Sequence, residues 1–215
     1  MIPTLALAGF GRSGAQGTPT PPITPVTWNP ADMAADLALS NGDLTVTKTT
    51  GDAVKAIRAT LGRSTGKYYY EIYLDAAGGA AGAYMIFGIA NGSMNILTTA
   101  PGQDTNGYGY YQDTGEKYYN NVLSAFGGVF QTNGDVVGIA VDLDAGLIWW
   151  SLNNTFQASG NPAAGTNEAF SGISGTMFPC ASLYRFFGSQ HIITGQFKAA
   201  DLTYSPPSGF SPWES

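Results

Sequence analysis

Charge is scarce in this chain. Asp, Glu, Lys and Arg make up 11% of its 215 residues, less than half the ~25% of an average globular protein. The balance is negative, at −6, so the basic footprint of a nucleic-acid binder is missing. A single cysteine, Cys180, excludes an internal disulfide, and by default it is a small buried hydrophobe. A single histidine, His191, excludes a Cys/His zinc site. Any Ser-His-Asp triad would have to run through that residue, which has no nucleophile motif beside it. It reads instead as a packed or surface histidine. The only glutamates are Glu71, Glu116, Glu168 and Glu214. None sits in a glycosidase motif, and a glycosidase needs two carboxyls about 5–10 Å apart in a cleft. No stretch approaches the ~18 apolar residues of a membrane span. The opening Met1–Phe10 has an early Pro3, a short apolar run and no basic region before it. It reads as retained rather than as a signal peptide.

What is present can build a core. Hydrophobic residues reach 44% and aromatics 13%, which excludes a disordered chain. Residues 1–25 differ from the rest. Ile2 to Phe10 is apolar, Gly9 to Gly17 is Gly-rich, and Thr18-Pro19-Thr20-Pro21-Pro22-Ile23-Thr24-Pro25 follows. Such a proline density favours an extended, polyproline-like conformation. The segment reads as an arm rather than a frayed tail. Its apolar tip (Ile2, Leu5, Leu7, Phe10) docks on a partner, with Arg12 facing a partner carboxylate. Residues 26–215 form the second unit.

From Val26 onward the punctuation is that of a β protein. Asn41-Gly42, Gly51-Asp52, Gly78-Gly79, Asn91-Gly92, Asn106-Gly107, Gly127-Gly128 and Asn133-Gly134 are turn signals. Between them lie strand-like runs: Leu44–Val46, Lys67–Leu74, Tyr84–Ala90, Tyr108–Tyr111, Val136–Leu143, Leu147–Leu152 and Cys180–Phe186. The pattern predicts an all-β antiparallel sandwich or barrel. One helix is expected within Pro30–Leu39, with a single turn as the alternative. Val137, Ile139, Val141 and Leu143 alternate with smaller residues, Asp144-Ala145-Gly146 turns the chain, and Leu147–Leu152 returns. With a period of two, Trp149 and Trp150 must face opposite ways. One belongs to the core; the other lies beneath a loop or in solvent.

At this hairpin the sequence resembles the SPRY (B30.2-like) family. Gly134-Asp135 through Asp142, Gly146 and Trp150-Ser151 to Asn153 follow that family's long hairpin block. Gly66-Lys67-Tyr68-Tyr69-Tyr70-Glu71, Phe87-Gly88-Ile89-Ala90, Phe178-Pro179 and Pro206-Pro207-Ser208-Gly209-Phe210 match further motifs in order. Asn153-Asn154 departs from the usual Asn-Gly. The resemblance covers residues 27–212. It implies a bent antiparallel β-sandwich, with the N-terminal arm outside it. It also implies a non-enzymatic recognition module that contacts ligands through loops at one end. Acidic, Gly/Tyr-rich compact forms of the domain are similar to proteins of tailed bacteriophages.

Leu97–Gln131 holds the most informative composition, with Tyr108, Tyr110, Tyr111, Tyr118 and Tyr119 among amides and glycines. Tyrosine offers flat apolar area with a polar tip, suited to sugar or peptide contact. Tyr108 and Tyr110 share one face, with Tyr111 opposite. Tyr111, Tyr118, Tyr119, Asn120 and Asn121 are the expected loop-exposed ligand contacts. Asp142-x-Asp144 reads as turn chemistry rather than as a calcium pair, which needs six or more oxygens.

The expected function is that of a bacteriophage virion protein, a tail-fibre or receptor-binding component for host adhesion. It would be made in the bacterial cytoplasm and carried in the particle in many copies or as a homo-oligomer. Its partners would be other virion proteins (tail, baseplate or capsid), reached through the arm, and a host surface glycan or protein. It would need no cofactor, metal, nucleic acid or membrane insertion. The alternatives are a capsid decoration protein, a carbohydrate-active enzyme on a similar sandwich, and an intracellular peptide-binding adaptor.

Overall fold

A computed structural model describes residues 25–51, 53–78, 84–185 and 190–214. The arm residues Ile2, Leu5, Leu7, Phe10 and Arg12 lie outside the described residues. Val26, just past the prolines, is already buried. The regular structure is almost entirely extended. In chain order the strands are β1 (Trp28–Met33), β2 (Leu37–Ser40), β3 (Thr45–Lys48), β4 (Lys55–Ala59), β5 (Lys67–Ala77), β6 (Tyr84–Asn91), β7 (Gly107–Tyr111) and β8 (Glu116–Tyr119). There follow β9 (Val122–Ala125), β10 (Val136–Asp142), β11 (Leu147–Leu152), β12 (Thr155–Phe156), β13 (Met177–Tyr184), β14 (His191–Gln196) and β15 (Ser211–Pro212).

Two sheets face each other. The first runs β1-β4-β13-β6-β7-β8-β9, and the second β12-β11-β10-β5-β14-β3-β2. Pairing is antiparallel throughout, except that short β15 lies parallel to β5. The inner faces supply one core, including Ile57, Tyr70, Phe87, Ile89, Tyr110, Ile139, Val141 and Trp150. Its hairpin forms as the alternation predicts, with Ile139 opposite Trp150 and Val141 opposite Ile148. Trp149 points the other way, packed with Phe210 and Leu202, and its Nε1 donates to the Thr166 carbonyl at 2.9 Å.

That outer face of the second sheet is covered, which is why every residue of β10 is buried. The chain after β14 lies across it, held by the carboxylate of Glu71. This group accepts from the Thr203 and Tyr204 amides at 2.6 and 3.1 Å and from the Tyr69 hydroxyl at 2.7 Å. Burial pushes its carboxyl above the ordinary value, and these donors partly offset the effect.

No helix forms at 30–39; β1 and β2 occupy that stretch. The Asn29 side chain accepts from the Ala31 amide at 3.0 Å, a local bond that competes with a helical turn. Pro30 is tolerated because β1 is an edge strand with a register shift between Trp28 and Met33. Asp32 then binds Arg58 at 2.6 and 2.8 Å, and Asp36 binds Lys48 at 2.5 Å. Both acids are thereby committed to strand partners.

Candidate recognition surface

On the outer face of the first sheet, the loop 92–106 covers one part. Its Met94 and Ile96 pack on Ala56, Ala90 and Cys180. Arg58 clamps this loop through the Asn91 and Met94 carbonyls, at 3.0 and 2.8 Å. Close approach needs glycine at 109, where any Cβ would overlap the Pro101 carbonyl.

The rest of that face carries tyrosines, and the strand registers explain why. Tyr84 on β6 sits opposite Tyr184 on β13, Ile86 opposite Tyr111 on β7, and Gly109 opposite Tyr118 on β8. Side chains paired across strands share a face. Four neighbouring strands therefore each send a tyrosine outward. The Tyr184 and Tyr84 rings stack with centroids 4.7 Å apart, and Tyr84 and Tyr111 at 4.8 Å. Those spacings match the ~4.8 Å between strands. Tyr118 closes the row edge-on to Tyr111 at 6.5 Å. All four are half-buried. Leu123, opposite Tyr118 on the edge strand β9, is 41% exposed, and Val122 60%.

Burial, then Tyr84, then the carboxylate of Asp113 push the Tyr111 phenol well above its ordinary value. Burial, followed by Tyr184 and Tyr118, does the same for Tyr84. The hydroxyls therefore stay neutral. That of Tyr118 donates to Asn121 Oδ1 at 2.7 Å.

Of the expected contacts, the structure brings Tyr111, Tyr118 and Asn121 together. None of the tyrosines is in a loop, because Gly107–Tyr111, Glu116–Tyr119 and Val122–Ala125 are all strands. Asn120 and Asn121 form the tight turn joining β8 to β9, both left-handed at φ 50° and 60°, the geometry that matches strand twist. Both are exposed. Tyr119 departs from expectation. Alternation turns it inward, where it lies flat on Tyr108 at 4.5 Å and beside Phe170 at 5.8 Å. Tyr84 and Tyr184 were missed. Their faces follow from strand parity, but their meeting depends on a β6–β13 pairing across some hundred residues.

The carboxylates suited to chemistry are committed elsewhere. Asp142 accepts from the Asp144 and Ala145 amides at 3.1 and 2.9 Å and pairs with Lys67 at 2.8 Å. Asp144 accepts from the Gly66 amide at 2.8 Å. The two amide bonds of Asp142 are turn bonds, as expected, while the bonds to Lys67 and Gly66 tie that turn to the start of β5. Among the described residues no group of three or more His, Cys, Asp or Glu side chains is placed to hold a metal ion. His191 is fully buried, and neither ring nitrogen has a hydrogen-bond partner among the described residues. Cys180 is buried too, which pushes its thiol up to about 12, so it stays protonated.

The SPRY domain family profile matches residues 67–197. Ran-binding protein 9 of Xenopus tropicalis is 31% identical over 148 residues, covering 66% of this chain and 26% of that protein. Ran-binding protein 9 of Homo sapiens is 30% identical over 167 residues, covering 74% of this chain and 21% of that protein. The chain thus spans about a quarter of the length of these relatives. Among solved structures, the SPRY domain of human HERC1 has the same fold, with a TM-score of 0.62 at 16% identity over 83% of this chain and 99% of that one.

The relatives overturn the bacteriophage virion and host-adhesion reading, because they are animal proteins, from frog to Drosophila melanogaster. The composition behind that reading has a structural origin. Several glycines sit where backbones pass closely and others at left-handed turns, and many of the tyrosines fill the core or pack on a sheet face. With its match through the central strands, its two-sheet sandwich and its hairpin, the chain belongs to the SPRY domain family.

Proposed function

We propose that this chain is a non-catalytic protein-recognition domain. Its contact surface is the outward row Tyr184, Tyr84, Tyr111 and Tyr118, continued by Asn121 and Leu123. The observation that carries the reading is the row itself. A water-facing sheet surface ordinarily alternates to polar side chains, whereas here four rings touch across four strands. Rigid aromatic area with polar tips is the composition of contact surfaces. The relatives' name ascribes Ran binding to them; protein binding is the part extended to this chain. The uses found for Glu71, Asp142 and Asp144 favour binding over hydrolysis.

The arm, with Ile2, Leu5, Leu7, Phe10 and Arg12, is proposed as a separate tether to a neighbouring protein. Its support is an apolar tip behind a proline-rich spacer.

The test is a selection of random displayed peptides on the full chain, repeated on Tyr84→Ser/Tyr111→Ser. The expected result is a class of binders that the double variant loses while its thermal unfolding stays cooperative. Binders that all survive the double substitution overturn the assignment.

A further inference from the structure

Resting on that recognition surface, we propose that the tyrosine row receives a cation: its partner is a protein segment presenting arginine or lysine.

The first argument is the chemistry of the rings. An aromatic face attracts a cation within ~6 Å of its centroid. This chain uses that contact elsewhere, with Arg63 4.7 Å from the Tyr68 ring centroid and Lys117 4.9 Å from that of Phe170. In the outward row the faces of Tyr84 are taken up by its stacked neighbours Tyr184 and Tyr111, whereas Tyr118 meets Tyr111 at 84° and, among the described residues, stacks on no ring, so the cation meets the row at Tyr118.

The second argument is charge. Asp113 and Glu116 bracket the turn between β7 and β8, the strands that carry the last two rings of the row, Tyr111 and Tyr118. Their negative field reaches the Tyr111 ring, since both carboxylates disfavour its phenolate. Asp113 accepts from Gln131 Nε2 at 3.2 Å, and Glu116 from the Thr114 hydroxyl at 2.6 Å. Among the described residues neither forms an ion pair.

The third argument is where the chain's own cations point. Lys117, next to Tyr118, turns to the opposite face and donates to the Ala169 carbonyl at 2.7 Å. Lys55 donates to the Leu97 carbonyl at 2.9 Å, and Arg185 to that of Thr49 at 3.1 Å. Arg58 is held by Asp32. The row is therefore a negative-ended aromatic surface on a chain of net charge −6. A basic side chain complements it on both counts, its stem on Tyr118 and Leu123 and its charge toward Asp113 and Glu116.

The experiment reads the composition of the selected peptides. Those lost on Tyr84→Ser/Tyr111→Ser should be enriched several-fold in Arg and Lys over the input library. For one such peptide, replacing its arginine by glutamine should weaken binding roughly tenfold. Asp113→Asn/Glu116→Gln should weaken it about threefold or more, and raising salt from about 0.05 to 0.5 M should mimic that loss. Tyrosine-dependent peptides that are neutral or acidic overturn the cation assignment and leave the recognition surface standing. A selection in which no binder depends on the tyrosines overturns the surface itself.

Discussion

The buried histidine offers a quantitative test of the core. His191 opens β14, its ring fully buried against Gly78, where any Cβ would overlap the imidazole. Burial lowers its pKa from 6.5 to about 4. Between those values the unfolded chain binds a proton on this ring and the folded chain does not. The contribution is therefore complete above pH 6.5 and is lost as pH falls toward 4. The gap corresponds to about 3 kcal/mol. His191→Leu removes the titrating group while keeping the site apolar. Urea unfolding of both proteins at pH 7.5 and pH 4 isolates the term, because every other titration is shared and cancels in the difference. Wild type should lose about 3 kcal/mol more than the variant across that interval. Parallel losses in the two proteins would refute the reasoning. Glu71 runs the other way: its raised carboxyl contributes stability below its ordinary value of 4.5, and that contribution falls as pH rises through the folded value.

Glu71→Gln should cost about 2 kcal/mol, because an amide cannot accept from both backbone donors and the Tyr69 hydroxyl together. Faster hydrogen exchange confined to the Thr203 and Tyr204 amides would show it. Gly109→Ala should lower the melting temperature by several degrees, about 2 kcal/mol of strain against the Pro101 carbonyl. Tyr118→Leu and Tyr119→Leu, neighbours in sequence, should separate. The first should weaken binding of a selected peptide with little change in melting temperature. The second should lower melting temperature with little change in binding.

Much of the sandwich is legible where side-chain period and turn chemistry agree. The hairpin from Val136 to Leu152 has both, and its two tryptophans divide between faces as period two demands. Asn153-Asn154, which departs from the family's Asn-Gly, still makes the turn, with both residues left-handed at φ 48° and 65°. β8, β9 and β14 are harder to see. Glu116-Lys117-Tyr118-Tyr119 and His191–Gln196 are short, and their polar residues look like loop until a neighbouring strand supplies a face. The stretch 30–39 misleads because the bonds that decide it come from Arg58 and Lys48, on strands not yet placed. The site shows the same limit. Parity sets Tyr111 opposite Tyr108 and Tyr110. Nothing local shows that Tyr184 and Tyr84 will lie beside it, because that juxtaposition is a property of register between distant strands.

The central claim is that this domain binds through a sheet face rather than through loops at its ends. Titrating isotope-labelled protein with a selected basic peptide, and following ring and methyl resonances by NMR, tests it most directly. The account predicts that Tyr84, Tyr111, Tyr118 and Leu123 shift together while Trp149 and Phe210, on the opposite sheet, stay still. Shifts confined to the end loops, with the four tyrosine rings unmoved, would contradict it.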